Sequence, residues 1–342
     1  MDWDTYRSSI IERARLKSYN DYEIKFIVDY CKKLFDSNLP IIFDCQSLSF
    51  FTRIKLDYLL RVMYSSSHFY RSFTIPKKTF GERSIDEPLP LLKECQRRIL
   101  DKILCCSPVH PCAKAYRHNV STKDNARFHR NQDIMIKIDI KDFFPSIKWT
   151  AIVNVFKELG YFPHVAIYLA NLCSLQKKLP QGAPSSSAIS NVVMYDFDTI
   201  IYAYCRASSL RYTRYSDDIT ISGNSNVKPG VVIRYVSSQL WQFGFQMNSK
   251  KTRVLRQSQR QMVTGLVTNK TINVEKGYRK KIRQELYYIQ QFGLAGHMIK
   301  AEITSPNYLE KLRGRVSYCL SIRPGDEEMQ LYKSIVDRLI RL

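Results

Sequence analysis

Residues 210–222 read LRYTRYSDDITIS, two adjacent carboxylates set between two runs of strand-forming residues. That layout fits a β-hairpin presenting Asp217 and Asp218 at its turn. A second acidic strand lies upstream at 134–140, running into Lys141-Asp142-Phe143-Phe144. Period two puts Ile134, Ile136, Ile138 and Ile140 on one face and Lys137 and Asp139 on the other. A carboxylate on an apolar strand is costly unless it is exposed, paired or bound to metal. Two such strands side by side would converge acids on one or two Mg²⁺ ions, the arrangement that serves in-line displacement at phosphorus. A plain acidic β-turn explains a lone Tyr-x-Asp-Asp string equally well, so the rest of the chain decides.

The 342 residues have room for one large core or a few small subdomains, and a hydrophobic fraction of 44% excludes bulk disorder. The net charge of +22 points to a large polyanion as partner, because each cation that meets a phosphate releases condensed counterions. Residues 250–342 carry 19 Lys/Arg against 8 Asp/Glu, so +11 of that charge sits at the C-terminal end. The chain has no apolar run long enough to span a bilayer, and its first residues, MDWDTYRSSI, do not form a signal peptide. No membrane contact and a cytoplasmic location are therefore expected. The nine cysteines form no C-x-x-C pair and the histidines complete no zinc pattern, which predicts reduced, mostly buried thiols.

Periodicity predicts helices within 1–50 and over 54–64, a basic hairpin over 72–85 turning near Phe80-Gly81, and a helix over 91–104. Beyond the acidic strand it predicts helices over 149–159, 186–204 (a single long one), 229–243 and 278–291, with a short strand pair within 261–268. Strands interleaved with helices and closed by a basic helical end make an α+β protein.

The ordered set Arg83…Gln96-Arg97, Asp139-x-x-x-Phe143-Phe144, Leu179-Pro-Gln-Gly182, Tyr215-x-Asp-Asp218 and Asn248-x-x-Lys251-Thr252 resembles the reverse transcriptases. Within them, Asn125-Ala126-x-x-His129 and Val263-Thr264-Gly265 resemble two signatures of the bacterial retron enzymes, and the segment from Gly314 to Ser321 is similar to their thumb. The resemblance implies a right-hand polymerase fold with fingers, a palm of antiparallel sheet plus helices, and a helical thumb. It divides the chain into an N-terminal helical extension (1–50), fingers (51–115), a palm (116–258, with an inserted fingers segment near 148–180) and a basic thumb (259–342).

Site roles follow from the same resemblance. Asp139 and Asp217 would hold two Mg²⁺ ions (Mn²⁺ as substitute), with the Ile140 carbonyl on the metal and Asp218 as the supporting carboxylate. Phe144 would pack beneath the incoming sugar and exclude ribose, unless Phe143 is the ring that faces the site. Arg83, helped by Lys77 or Lys78, would clamp the dNTP triphosphate, for which the arginine fork suits phosphate oxygens. Gln181 and Gly182 would touch the nucleotide or form a plain turn. Lys251 would stabilise the departing pyrophosphate or serve as a surface charge. Asn125 and His129, four apart, are either a structural pair bracing the palm or RNA contacts. Val263, Thr264 and Gly265 either form a plain β-strand end or, with Arg279, Lys280, Lys281 and Arg283, would hold RNA.

The implied activity is RNA-directed DNA synthesis. A retron enzyme copies its cognate structured noncoding RNA into single-stranded DNA, primed from a guanosine 2′-hydroxyl to give a branched product. It works in bacterial anti-phage defence with an effector protein, and host ribonuclease H trims the template, since no such domain is expected here. The alternatives are another bacterial reverse transcriptase, of intron, diversity-generating or abortive-infection type, and a polymerase-like RNA-binding protein without catalysis.

Overall fold

The computed structural model describes residues 2–77 and 81–341. In chain order its elements are α1 (Trp3–Leu16), α2 (Asp21–Asp36), α3 (Cys45–Thr52), α4 (Leu56–Tyr64), β1 (Tyr70–Pro76), β2 (Glu82–Pro88), α5 (Pro90–Lys102), α6 (Thr122–Phe128) and β3 (Ile134–Asp139). There follow α7 (Phe143–Ser146), α8 (Trp149–Glu158), α9 (Pro163–Leu172), α10 (Ser186–Val193), α11 (Tyr195–Ala207), β4 (Arg211–Tyr215), β5 (Asp218–Gly223) and α12 (Pro229–Gln242). The last are β6 (Arg253–Arg256), β7 (Met262–Val263), β8 (Leu266–Val267), β9 (Asn273–Val274), α13 (Lys276–Lys300), α14 (Tyr308–Ile322) and α15 (Glu327–Arg341).

Local chemistry sets many of these ends. Ser121 and Asp124 form a reciprocal capping box that starts α6, and Asn20 with Glu23 does the same for α2. Proline occupies the first helical turn of α5 and α9, where its missing N–H costs nothing. The single helix expected over 186–204 is instead two, broken at Met194 (φ −88°, ψ 4°). The Ser190 hydroxyl turns back onto the Ser187 carbonyl at 2.8 Å, a bond that bends helices by competing with the backbone ladder. Helix α13 also breaks, at Gly293 with φ +71°.

The chain divides into two compact units, Met1–Tyr116 with Asp139–Ile201 and Arg234–Asn248, and Arg117–Ile138 with Tyr202–Ile233 and Ser249–Leu342. The segment expected as palm contributes to both.

In the first unit β1 and β2 form an antiparallel ribbon, registered from Tyr70↔Pro88 to Pro76↔Glu82. Its turn near Phe80, and Lys78, lie outside the described residues. Gln96, fully buried on α5, donates to the Tyr70 hydroxyl and the Leu172 carbonyl, both at 2.8 Å, tying the ribbon's base to α9.

In the second unit a four-stranded sheet has the order β4-β5-β3-β6, and a smaller one the order β7-β8-β9. Strand β3 is buried on both faces, because Met135 joins a core with Ala126, Ile282, Leu286, Leu312 and Val316. That core is lined by the apolar stripes of α13 and α14, which repeat at helical spacing. Among the described residues no helix is long and apolar enough to cross a membrane. All nine cysteines are free thiols and six of them are buried.

Candidate active site

In the second unit Tyr215 pairs with Asp218, which leaves Ser216 and Asp217 as a two-residue hairpin turn. Ser216 is left-handed (φ +61°), a conformation that a residue with a side chain keeps only where its surroundings impose it. Part of that imposition comes from Arg214, a fully buried arginine whose Nη1 donates to the Ser216 carbonyl at 3.0 Å. Asp217 and Asp218 remain half-buried. Lys137, on the polar face of β3, brings its Nζ to 3.0 Å from Asp218 Oδ2. Neither Arg214 nor Lys137 was anticipated as part of the site. The signal for Lys137 was its place on the same strand face as Asp139.

The two retron-like signatures meet at α6. His129, at its C-terminal end, is fully buried and bonds through Nδ1 to the Ser222 hydroxyl (2.7 Å) and through Nε2 to the Thr213 hydroxyl (2.8 Å). Burial, with repulsion from Arg211 and Lys137, holds this imidazole at about 3, so it stays neutral. Thr264 (φ +47°) and Gly265 (φ +82°) turn β7 into β8, the primed turn that favours glycine at its second position. The Thr264 hydroxyl donates to the Thr122 carbonyl at 3.1 Å. Asn125, His129 and Val263 are all buried, which corrects the expectation that these side chains contact RNA: they have no surface to offer it. His129 ties α6 to β4 and β5, and Gly265 is exposed at the turn.

In the first unit Asp139 is held twice by Asn248. The Asn248 N–H donates to the Asp139 carbonyl (2.8 Å) and its carboxamide to Asp139 Oδ1 (3.1 Å). Asn248 lies in the Asn248-x-x-Lys251-Thr252 signature, whose sequence alone assigns it no role. Ile140 bridges Met247 in antiparallel fashion, and the flanking bonds use the carbonyls of Asp139 and Gln246. The Ile140 carbonyl therefore points away from Met247, to the other edge of its strand. Phe143 is buried against Phe245 (ring centroids 5.8 Å apart), whereas Phe144 is only half-buried and meets Phe143 edge-on. The core ring is thus Phe143.

The Gln181 carbonyl accepts from the Asp86 N–H at 2.8 Å, joining its loop to β2, the strand that carries exposed Arg83. Gly182 (φ +131°) makes this approach possible: a Cβ there would come within 2.9 Å of both the Asp86 carbonyl oxygen and Ile85 Cγ2. Lys77 is exposed beside this ribbon, and Lys251, in the second unit, is exposed as well.

On α13 a groove of about 710 Å³ is lined by Lys276, Lys280, Arg283, Gln284, Tyr287 and Tyr288 among others. The two tyrosines, both with exposed surface, were not anticipated. Arg279 is largely buried and paired with Asp326 and Glu328, both at 2.9 Å. Its charge is already matched within the fold, and it lines the same groove. Arg283 also pairs with Glu328 (2.6 Å) but keeps more than half of its side chain exposed. Lys280 and Lys281 are exposed.

Among the described residues no group of three or more His, Cys, Asp or Glu side chains gathers as a metal site. The donor types still suit a hard cation, since Asp139, Asp217, Asp218 and the Ile140 carbonyl offer only oxygens.

The hairpin that carries Asp217 and Asp218 shares a four-stranded sheet with β3. Residues 75–273 match the family described as Reverse transcriptase (RNA-dependent DNA polymerase). Retron Ec86 reverse transcriptase of Escherichia coli is 30% identical over 293 residues, covering 85% of this chain and 88% of that protein. Retron Mx65 reverse transcriptase of Myxococcus xanthus is 32% identical over 236 residues, covering 64% of this chain but only 55% of that protein. Among solved structures, telomerase from Candida albicans is a looser likeness, with a TM-score of 0.46 and 13% identity over 78% of this chain and 60% of that one. The chain belongs to the retron-type reverse transcriptases and is an RNA-directed DNA polymerase with a right-hand fold.

Proposed function

We propose that the chain copies its own structured noncoding RNA into single-stranded DNA, primed from a guanosine 2′-hydroxyl to leave a branched product. The proposal extends to anti-phage defence with an effector protein, to trimming of the template by host ribonuclease H, and to a cytoplasmic setting. The observation that carries the site assignment is the two-residue turn that presents Asp217, its backbone fixed by Arg214.

Asp139 and Asp217 are the proposed ligands of Mg²⁺, with the Ile140 carbonyl and Asp218 in support. When bound, the ions would neutralise charge on the phosphates and activate the attacking hydroxyl. Asn248 would orient the Asp139 carboxylate, while Phe144 would close the space beneath the sugar. Arg83, with Lys77, would grip the triphosphate, and Gln181 and Gly182 would shape the nucleotide's seat against β2. Lys251 would meet the leaving pyrophosphate. Gly265 and the α13 groove, through Lys280, Lys281, Arg283 and the two tyrosines, would hold the RNA by charge and by stacking on bases.

The test is to express the chain with its flanking genomic DNA and sequence the nucleic acid that co-purifies. Wild type should carry one structured RNA joined to DNA through a 2′ branch. Asp217→Asn, which keeps the shape but loses the charge, should carry the RNA alone, its DNA yield down on the order of a thousandfold. Branched DNA at wild-type yield from a folded Asp217→Asn protein would remove Asp217 from the site.

A further inference from the structure

We propose that Lys137 is a positioning residue that holds the Asp218 carboxylate in an ion pair and thereby tunes how the paired acids take a divalent ion. This rests on the metal-binding role proposed above for Asp217.

The two carboxylates differ in how the fold presents them. Asp218 is the first residue of β5, in register with Tyr215, and its Oδ2 lies 3.0 Å from the Lys137 ammonium. The pair is partly shielded, with the lysine side chain 25% and the aspartate 36% exposed. Asp217 lies in the turn, after a carbonyl held by the buried Arg214. Lys137 can reach Asp218 because β3 neighbours β5 and because strand alternation turns residue 137 to the polar face. On its other side β3 pairs with β6, Lys137 standing opposite Arg253.

An ammonium at hydrogen-bond distance opposes a dication approaching the same carboxylate. It also fixes where that carboxylate points. Removing its charge should therefore have two effects of opposite sign. The site gains one net negative charge and binds a divalent ion more tightly, by roughly three- to tenfold. Asp218, released from the ammonium, can take the ion in a different geometry, so turnover falls. A variant that merely loosens the fold would lose both affinity and turnover.

The experiment titrates Mn²⁺ into the full chain without nucleotide, reading free Mn²⁺ by electron paramagnetic resonance, and measures primer extension at saturating Mn²⁺. Lys137→Met should bind Mn²⁺ roughly three- to tenfold more tightly yet extend at about a tenth of the wild-type rate. Lys137→Arg, keeping the charge, should return both to within about twofold of wild type. Lys137→Met combined with Asp218→Asn should lose the gain in affinity, since the carboxylate that the lysine restrained is gone. Weaker or unchanged Mn²⁺ binding by Lys137→Met overturns the proposal, as does a gain that survives Asp218→Asn. Should Lys137→Met not fold, Lys137→Gln carries the same comparison. Asp217→Asn separates the two levels. If it binds Mn²⁺ as wild type does, the metal role itself fails; if it loses Mn²⁺ while Lys137→Met gains nothing, only the role of Lys137 fails.

Discussion

The α6 region and the α13 groove carry the chain's retron-like signature residues and its basic character, and they use their polar groups in opposite ways. Around α6 the polar groups of His129 and Thr264 are matched within the fold. His129 spends both ring nitrogens on hydroxyls of β4 and β5, and Thr264 spends its hydroxyl on the backbone of α6. Along α13 the tyrosines and most cations face outward, while Arg279 is held by Asp326 and Glu328. A signature motif can therefore mark either a contact with the substrate or the frame that holds the substrate's site, and burial separates the two. Changes to the first region should appear as lost stability, changes to the second as altered dependence on salt.

The same contrast exists in miniature at Phe143 and Phe144, where the largest effect is expected. Phe143→Ala would empty a packed position against Phe245 and should cost about 3–5 kcal/mol of stability. Phe144→Ala should cost less than about 2 kcal/mol, because its ring is already half in solvent. It should instead raise ribonucleotide over deoxyribonucleotide incorporation. Thermal melts paired with competitive incorporation assays decide the matter. An unchanged sugar preference in a folded Phe144→Ala protein would leave Phe144 without its proposed role.

His129 makes the next prediction, one of pH. Its imidazole stays neutral down to about 3 in the fold, whereas in the unfolded chain it protonates near 6.5. The unfolded state thus binds the extra proton between those values. The stability this group contributes is complete above about pH 6.5 and falls by about 1.4 kcal/mol per pH unit below it. Urea unfolding at pH 7 and at pH 5 should differ by about 2 kcal/mol from this residue alone. His129→Gln should be less stable at pH 7 but should lose that share of the acid slope. Equal slopes in the two proteins would mean that the ring is not enclosed in solution.

Much of this frame was legible in the sequence because it is local. The alternation of β3, the hairpin around Asp217 and the helical stripe of α13 all repeat within a few residues, and the structure follows them. What could not be read depended on partners far along the chain. His129 meets residues 84 and 93 positions away, so no window around Asn125–His129 could show that it is buried. Met135 reads as a residue on the polar face of β3 until the core beneath α13 claims it. Tyr287 and Tyr288 look like ordinary helix positions, and only the groove beside the cations singles them out. The break at Met194 is not legible in the sequence because apolar spacing runs through it, while the Ser190 hydroxyl bonds the helix backbone through one side-chain contact.

The smallest effect separates the cations of α13 from one another. Lys280 and Lys281 are exposed, whereas Arg279 is held by Asp326 and Glu328. If the exposed lysines meet RNA phosphates, each replacement by glutamine should lower the slope of log affinity against log salt by roughly 0.7–0.9. It should barely change the melting temperature, since surface substitutions usually fall within about 0.5 kcal/mol. Arg279→Gln should do the reverse. It leaves Asp326, itself mostly buried, short of a charge partner, so stability should fall by roughly 1–3 kcal/mol while the salt slope stays near wild type. Filter binding of one structured RNA across a salt series, with melts of the same proteins, gives both readouts. A salt slope that drops for Arg279→Gln and stays fixed for Lys280→Gln would reverse the distinction between matched and displayed cations.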